Sequence, residues 1–395
     1  MGPAGEDAVE GPSASPSGVP AQEVCGDGLW LAPTLVDPHS VLEVPTQGRA
    51  ETLSSLRSAA ARGGYGSVAL LPWAENWRDR PERLHLQWAD PMRLHLWGSF
   101  SLNGADQDLA GHLDQLAAGA IGIAGVGQHP PIDLLERGLR LGEMGDRPVL
   151  LAPRMASLTH GGFVRERVEA LRAGWPLDPP FSETLPLQSL LVLAAGLPWV
   201  SLRLMNLSTA DGVERVRQEP DPPQTSVCWW HLIADSGWLD PADEGWRLEP
   251  ALGGPGDREA LIAGLAEGLI TAVAVHHLPL DAEERLLPLD QRRAGLAGHG
   301  LVLPMLWREL VTRRGWSPHE LWRVVCWGPS RFLGLPVEEL RLGSCRWLLF
   351  DPSHRWVWGP SSCFSMAANQ PCWGQSMEGA VVACGLTDQK EWSLR

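Results

Sequence analysis

A chain of 395 residues with 44% apolar and 20% charged content can bury one barrel-sized core and still supply a small appendage. Its formal charge of −15 opposes non-specific contact with nucleic acid or an anionic membrane, since both need a basic face. Seven cysteines with no Cys-x-x-Cys spacing suggest neither a zinc cluster nor a disulfide framework, and no apolar run of eighteen residues marks a membrane span. Reduced thiols and a cytoplasmic location are therefore expected.

Residues 1–23 are rich in Gly, Pro, Ser, Ala and Glu without apolar periodicity, and read as a disordered tail. Short apolar runs then recur at 33–37, Ser67–Leu71, Leu94–Phe100, Ile121–Ala124, Val149–Ala152, Val200–Leu204, Ser226–Trp230 and Ala272–Val275. Between most of them lie amphipathic stretches: Thr52–Arg62, Asp106–Ala118, Asp133–Glu143, Leu185–Ala195, Thr209–Gln218 and Arg258–Glu267. Eight strands interleaved with helices predict an α/β fold, a (β/α)8 TIM-type barrel over residues 32–338. An open doubly wound sheet has the same periodicity and stays open as the alternative. Beyond Gly334 the texture changes to short β-like pieces, Cys345–Phe350, Trp356–Trp358 and Gly379–Cys384. Residues 339–395 are expected to pair with residues 24–31 in a small β-sandwich domain.

The run Ala32-Pro33-Thr34-Leu35-Val36-Asp37-Pro38-His39-Ser40-Val41-Leu42-Glu43 resembles the first-strand motif of dihydroorotases and related amidohydrolases. That motif reads Pro-Gly-Phe-Val-Asp-Pro-His-x-His-x-Arg. Similar matches follow: Gly63-Gly64-Tyr65-Gly66 as the turn into strand two, Leu71-Pro72-Trp73-Ala74 for Met-Pro-Asn-Thr, and Asn206-Leu207-Ser208-Thr209 for His-Leu-Ser-Thr. Further along, Trp230-His231-Leu232 is similar to His-His-Leu, and His276-His277-Leu278-Pro279 to Asp-His-Ala-Pro. The likeness covers nearly the whole chain.

In that family, the resemblance implies, two histidines of the first motif ligate a divalent metal, the arginine grips the substrate carboxylate, and the later aspartate is both ligand and general base. Here His39 survives, but Val41 stands for the second histidine and Glu43 for the arginine. Trp73 replaces the substrate-binding asparagine, Asn206 a histidine, and His276 the aspartate. The histidine expected after Val149-Leu150-Leu151 is Ala152. A carboxylated lysine bridge has no candidate, because the one lysine is Lys390 near the C-terminus. A hydrolytic metal site needs at least three donors around an open position. His39, Asn206 and His276 are the most these positions assemble, and asparagine is a poor zinc ligand.

Each residue also has a structural reading. His39 is either a surviving ligand or a polar plug at a strand end. His276 and His277 are either a relocated metal pair or packing, and His231 reads as inherited packing. Trp73 either intrudes on the substrate space or stacks on a different ligand. Cys228 and His231 suit nucleophilic catalysis only if they share a face, which a spacing of three in a strand opposes.

Three functions remain: a non-catalytic dihydroorotase homologue acting as scaffold or regulator in pyrimidine biosynthesis, an active cyclic amidohydrolase with one rebuilt zinc site at His39 and His276, and a small-molecule binder using Trp73 with Arg154 or Arg203. No cofactor is expected under the first and one zinc ion under the second. The resemblance implies aspartate carbamoyltransferase as a partner, and self-association into a homo-oligomer is a further arrangement.

Overall fold

The structure, a computed structural model, describes residues 26–166, 170–171, 174–237, 244–288 and 290–387. The expected tail, Cys25 and Lys390 lie outside the described residues.

The run expected as one strand at 33–37 divides at Thr34. Its first part belongs to β1 (Trp30–Pro33), which pairs antiparallel with β13 (Trp347–Val357), and β13 pairs with β14 (Ser376–Cys384). This three-stranded sheet is the small β-unit. The two β-like pieces expected at Cys345–Phe350 and Trp356–Trp358 are one strand, interrupted in register between Asp351 and Arg355.

The second part is β2 (Leu35–Ser40), the first strand of the barrel. Parallel pairing runs from β2 to β3 (Tyr65–Leu70) to β4 (Arg93–Leu96). It continues through β5 (Gly98–Ser99), β6 (Ile123–Ala124), β7 (Val149–Leu151), β10 (Leu202–Leu204), β11 (Gln224–Cys228) and β12 (Ala272–Ala274). A separate parallel pair, β8 (Val164–Arg165) and β9 (Leu177–Asp178), lies in a loop. β4 and β5 are one barrel strand broken at Trp97, whose backbone N–H still donates to Leu70 O at 2.9 Å. The Trp97 indole donates across the barrel to Pro38 O at 3.0 Å. Eight parallel strands therefore line up where eight apolar runs were expected.

Helices cover the outside as the amphipathic stretches predict, with physically instructive differences at their ends. The stretch expected from Asp106 is helical only over His112–Ala117, because Asp106 has φ +52° and accepts from Ser101 Oγ at 2.7 Å in a tight turn. Two helices begin earlier than expected, at Phe181 after Pro179-Pro180 and at Pro255, since a proline's missing N–H costs nothing in a first turn.

Closure between β2 and β12 is made by two side chains and one backbone bond. Asp37 Oδ1 accepts the Val275 N–H at 3.0 Å, Ser40 Oγ accepts the His277 N–H at 2.9 Å, and Val41 N–H donates to His277 O at 2.8 Å. The other Asp37 oxygen accepts from Ser40 Oγ at 2.5 Å and His299 Nε2 at 3.1 Å. These bonds replace a ladder, so the open-sheet alternative is displaced. Inside, Val36, Val41, Ala69, Leu71, Ala124, Leu150 and Met205 pack as one apolar filling.

Replacing Asp37 by Ala leaves the Val275 N–H, Ser40 and His299 unpartnered in a dry seam. A stability loss of about 3–5 kcal/mol is expected in urea unfolding. A loss under about 1 kcal/mol would contradict the role assigned to this carboxylate.

Candidate active site

The C-terminal ends of β2, β10, β11 and β12 converge on one small cluster. His39, the penultimate residue of β2, is completely buried, and its Nδ1 lies 3.0 Å from His276 Nδ1. Its Nε2 lies 2.8 Å from Ser226 Oγ, which also accepts the Asn206 N–H at 3.0 Å. His276 and Asn206 each stand two residues past the ends of β12 and β10, both with left-handed backbone, φ +49° and +54°. Left-handed backbone is uncommon for residues other than glycine and is stored where surrounding structure over-determines it. The fold thus brings together three of the expected positions, His39, Asn206 and His276.

Of the two facing Nδ1 atoms one donates and the other accepts, and His39 Nε2 takes the complementary role toward the Ser226 hydroxyl. In either tautomer both nitrogens of His39 are engaged. Burial pushes both imidazoles down, His39 well below its ordinary value with the neighbouring His276 adding to the effect, and His276 to about 4. Burial keeps the pair neutral, and both ring nitrogens of His39 have partners.

That arrangement does not fit a divalent ion. A ligating imidazole must offer a bare lone pair to the metal, yet the lone pair of His39 is taken up by Ser226 or by His276 in either tautomer, and His276 Nδ1 is used in the same contact. Val41 is buried in the apolar filling and has no donor. Among the described residues, no group of three or more His, Cys, Asp or Glu is placed to hold a metal.

Trp73 occupies the mouth. Its indole donates to Gly125 O at 3.0 Å, its ring meets the His276 ring edge-on at 6.0 Å, and it lies so close over Gly127 that a Cβ there would sit 2.7 Å from the ring. Gly127, at φ +84°, accommodates both the turn and the indole. What remains, lined by Trp73, Gly127, Arg154, Asn206, Glu249 and His276, is a cavity of about 20 Å³, the room of a single water. Both amide groups of the buried Asn206 lack a protein partner and face this space.

The remaining expected residues lie elsewhere. Glu43 points outward and pairs with Arg293, which also holds Glu284 at 3.0 Å. His277 turns away from His276, and its Nε2 lies 3.1 Å from Glu51. Burial alone would raise Glu51, but hydrogen bonds from His277 and Ser365 hold its carboxyl below the usual range. Through Met366 N–H, at 3.2 Å, the same carboxylate ties the barrel to the loop between β13 and β14. His231 is buried against Ala251 O at 3.3 Å, and burial pushes it down to about 4. Burial pushes the Cys228 thiol up to about 12, which removes it as a nucleophile. Arg154 is held by Glu249 at 2.6 Å, and Arg203 donates to the carbonyls of Phe332 and Leu202 at 3.0 Å.

Sequence reasoning missed the residues that support the site. Glu183 accepts from the N–H and hydroxyl groups of both Ser208 and Thr209, while Arg165 bridges Glu183, Asp178 and Ser208. This buried network fixes the turn that holds Asn206. Ser226, Glu51, His299 and Glu249 have no local signature, since their partners are far away in sequence.

A closed parallel barrel with its site at the strand ends and a small antiparallel β-unit is the architecture of the amidohydrolase fold. The L-hydantoinase (dihydropyrimidinase) from Arthrobacter aurescens superposes with a TM-score of 0.75 over 95% of this chain and 88% of its own, at 17% identity. The inactive dihydroorotase-like domain of the Chaetomium thermophilum CAD-like multifunctional protein does so with a TM-score of 0.62 over 91% and 94%, at 15% identity. No family model matches the chain. In sequence it is 35% identical to a probable dihydroorotase-like protein of Synechocystis, over 92% of this chain and 89% of that one. It is 30% identical to the dihydroorotase of Thermus aquaticus, over 91% and 88%. The chain belongs to the dihydroorotase family.

The neutral pair makes the protein sensitive to acid. Because the folded His276 resists protonation down to about 4 while the unfolded imidazole titrates near 6.5, stability present above pH 6.5 is lost as pH falls through that window. Comparing wild type with His276→Asn by urea unfolding at pH 7.5, 6 and 5 should show a steeper loss in wild type, by on the order of one kcal/mol per pH unit. Parallel curves would contradict a neutral His276.

Proposed function

We propose that this chain is a non-catalytic member of the dihydroorotase family, holding no divalent ion and acting as a scaffold or regulator in pyrimidine biosynthesis. The single observation that carries the reading is the spent donor set: both ring nitrogens of His39 and the facing Nδ1 of His276 are engaged within the protein. Opening a cyclic amide at neutral pH requires a strong nucleophile, and in this family that means a metal that brings a water's pKa to about 7 with a carboxylate to move its proton. His276 stands where that carboxylate belongs, and it is a weak base in this setting.

Space and charge point the same way. Ligand sites usually offer some 300–1,000 Å³, far more than the volume beneath Trp73. Glu43, standing where the family's arginine meets a substrate carboxylate, would repel that group. One structural neighbour is named an inactive dihydroorotase-like domain, while the sequence relatives carry the names dihydroorotase and probable dihydroorotase-like protein. The partner proposed on the family resemblance is aspartate carbamoyltransferase. A rebuilt one-zinc site would first have to break the His39–His276 bond and displace Ser226.

Metal content and turnover test the reading together. Protein purified with added zinc should carry substoichiometric metal and show no dihydroorotate hydrolysis above background. The variant combining Val41→His, Trp73→Asn, Asn206→His and His276→Asp should gain zinc. One tightly bound zinc per wild-type chain together with turnover would overturn the proposal. Failure of aspartate carbamoyltransferase to copurify with the tagged chain would remove the proposed partner.

A further inference from the structure

A cavity of about 500 Å³ opens at the N-terminal end of the barrel, between the starts of β10 and β11 and the last turn of the helix Phe181–Gly196. Its volume is in the range usual for ligand sites, which the mouth beneath Trp73 is not. Arg203 and Gln224 are register partners in the parallel pair of β10 and β11, so their side chains leave the sheet on one face, and both line the cavity.

The polar groups here are unpaired in a definite order. At the floor, Arg203 donates through Nε to Phe332 O and through Nη1 to Leu202 O, both at 3.0 Å, and its Nη2 has no protein partner among the described residues. No carboxylate among the described residues meets this half-buried guanidinium, and burial pushes it down to about 10. A partly buried cation without a counter-charge draws an anion, and the guanidinium fork suits a carboxylate. Beside it, Gln224 Oε1 is buried without a donor. At the rim, Glu219 and Asp221 form no ion pair among the described residues. Asp221 precedes Gln224 by three residues, which span at most about 10 Å, so the acidic rim lies within one extended side chain of the floor. The helix Phe181–Gly196 ends at the same rim with no basic residue in its last turn, and its C-terminal carbonyls also favour a cation. Between floor and rim the wall is apolar, made by Leu191, Ala194 and Val200 with Pro198, Pro222 and Pro223.

We infer that this cavity binds a free basic α-amino acid of the arginine or lysine type. The carboxylate sits on Arg203, the α-ammonium donates to Gln224 Oε1, the aliphatic stem lies along the leucine and proline wall, and the cationic head reaches Glu219 and Asp221. Each polar group of such a ligand meets a group that the protein leaves unpaired. An anion alone is opposed by the two rim acids, and a diamine alone by Arg203, so the pattern selects a molecule carrying both charges. The cavity lies at the opposite end of the barrel from His39 and His276, and the inference stands whether or not the mouth is active.

Isothermal titration calorimetry of the full chain with L-arginine and with L-lysine tests it. At least one should bind at a single site with a Kd of about 1 mM or tighter, and the decarboxylated amines agmatine and cadaverine, and L-norleucine, which lacks the side-chain cation, should each bind at least about tenfold more weakly. Glu219→Gln combined with Asp221→Asn should weaken binding about tenfold or more and leave the thermal melt unmoved, since the two side chains stand at an open rim without ion-pair partners. Ala195→Trp, at an exposed position of the cavity edge, should abolish binding by filling the space. No binding of either amino acid at about 10 mM, amines or norleucine binding as tightly as the amino acids, or an affinity unchanged by both sets of substitutions would each overturn the inference.

Discussion

The barrel closes across a seam between its first and last strands, and nearly everything else about the molecule is arranged around that seam. Asp37 fastens it from below through Val275, Ser40 and His299, while His39 and His276 face each other at its upper end. Buried carboxylates and imidazoles are costly unless their hydrogen bonds are complete. Here they are completed by each other. The bond between the two imidazoles is therefore at once part of the closure and the observation on which the proposed metal-free reading rests.

The two left-handed residues give this arrangement its history in physical terms. His276 and Asn206 each turn the chain sharply at a strand end, a geometry that aims a side chain into the mouth. Such strain is retained only when neighbours over-determine it, and the Arg165–Glu183 network and the Asp37 clasp supply those neighbours. The strand ends thus keep the geometry of a site whatever side chains they carry. Trp73 fills the vacated volume and reduces the mouth to the room of one water, next to an Asn206 amide with no protein partner.

Much of the fold was legible in the sequence. Strands buried on both faces are continuous apolar runs, so all eight appeared near their true positions, and helix starts followed threonine caps and prolines. Closure was not legible, because it rests on side-chain bonds between residues more than two hundred positions apart, such as Asp37 with Val275. Periodicity also extended one helix back to Asp106, where a local bond to Ser101 wins. Of the site, the losses at Val41, Glu43, Trp73, Asn206 and His276 could be read from motif positions. Their consequences could not: Ser226 bonds His39 from 187 residues away, and Glu51 holds His277 from 226 away.

Nuclear magnetic resonance of the histidine ring nitrogens, in protein labelled with nitrogen-15 at neutral pH, tests the central claim most directly. His39 and His276 should both be observed as neutral imidazoles, one Nδ1 protonated and the facing one bare, and an equivalent of zinc should leave their signals where they were. Signals that shift to metal-bound positions on adding zinc, or a charged imidazolium at either residue, would contradict the account.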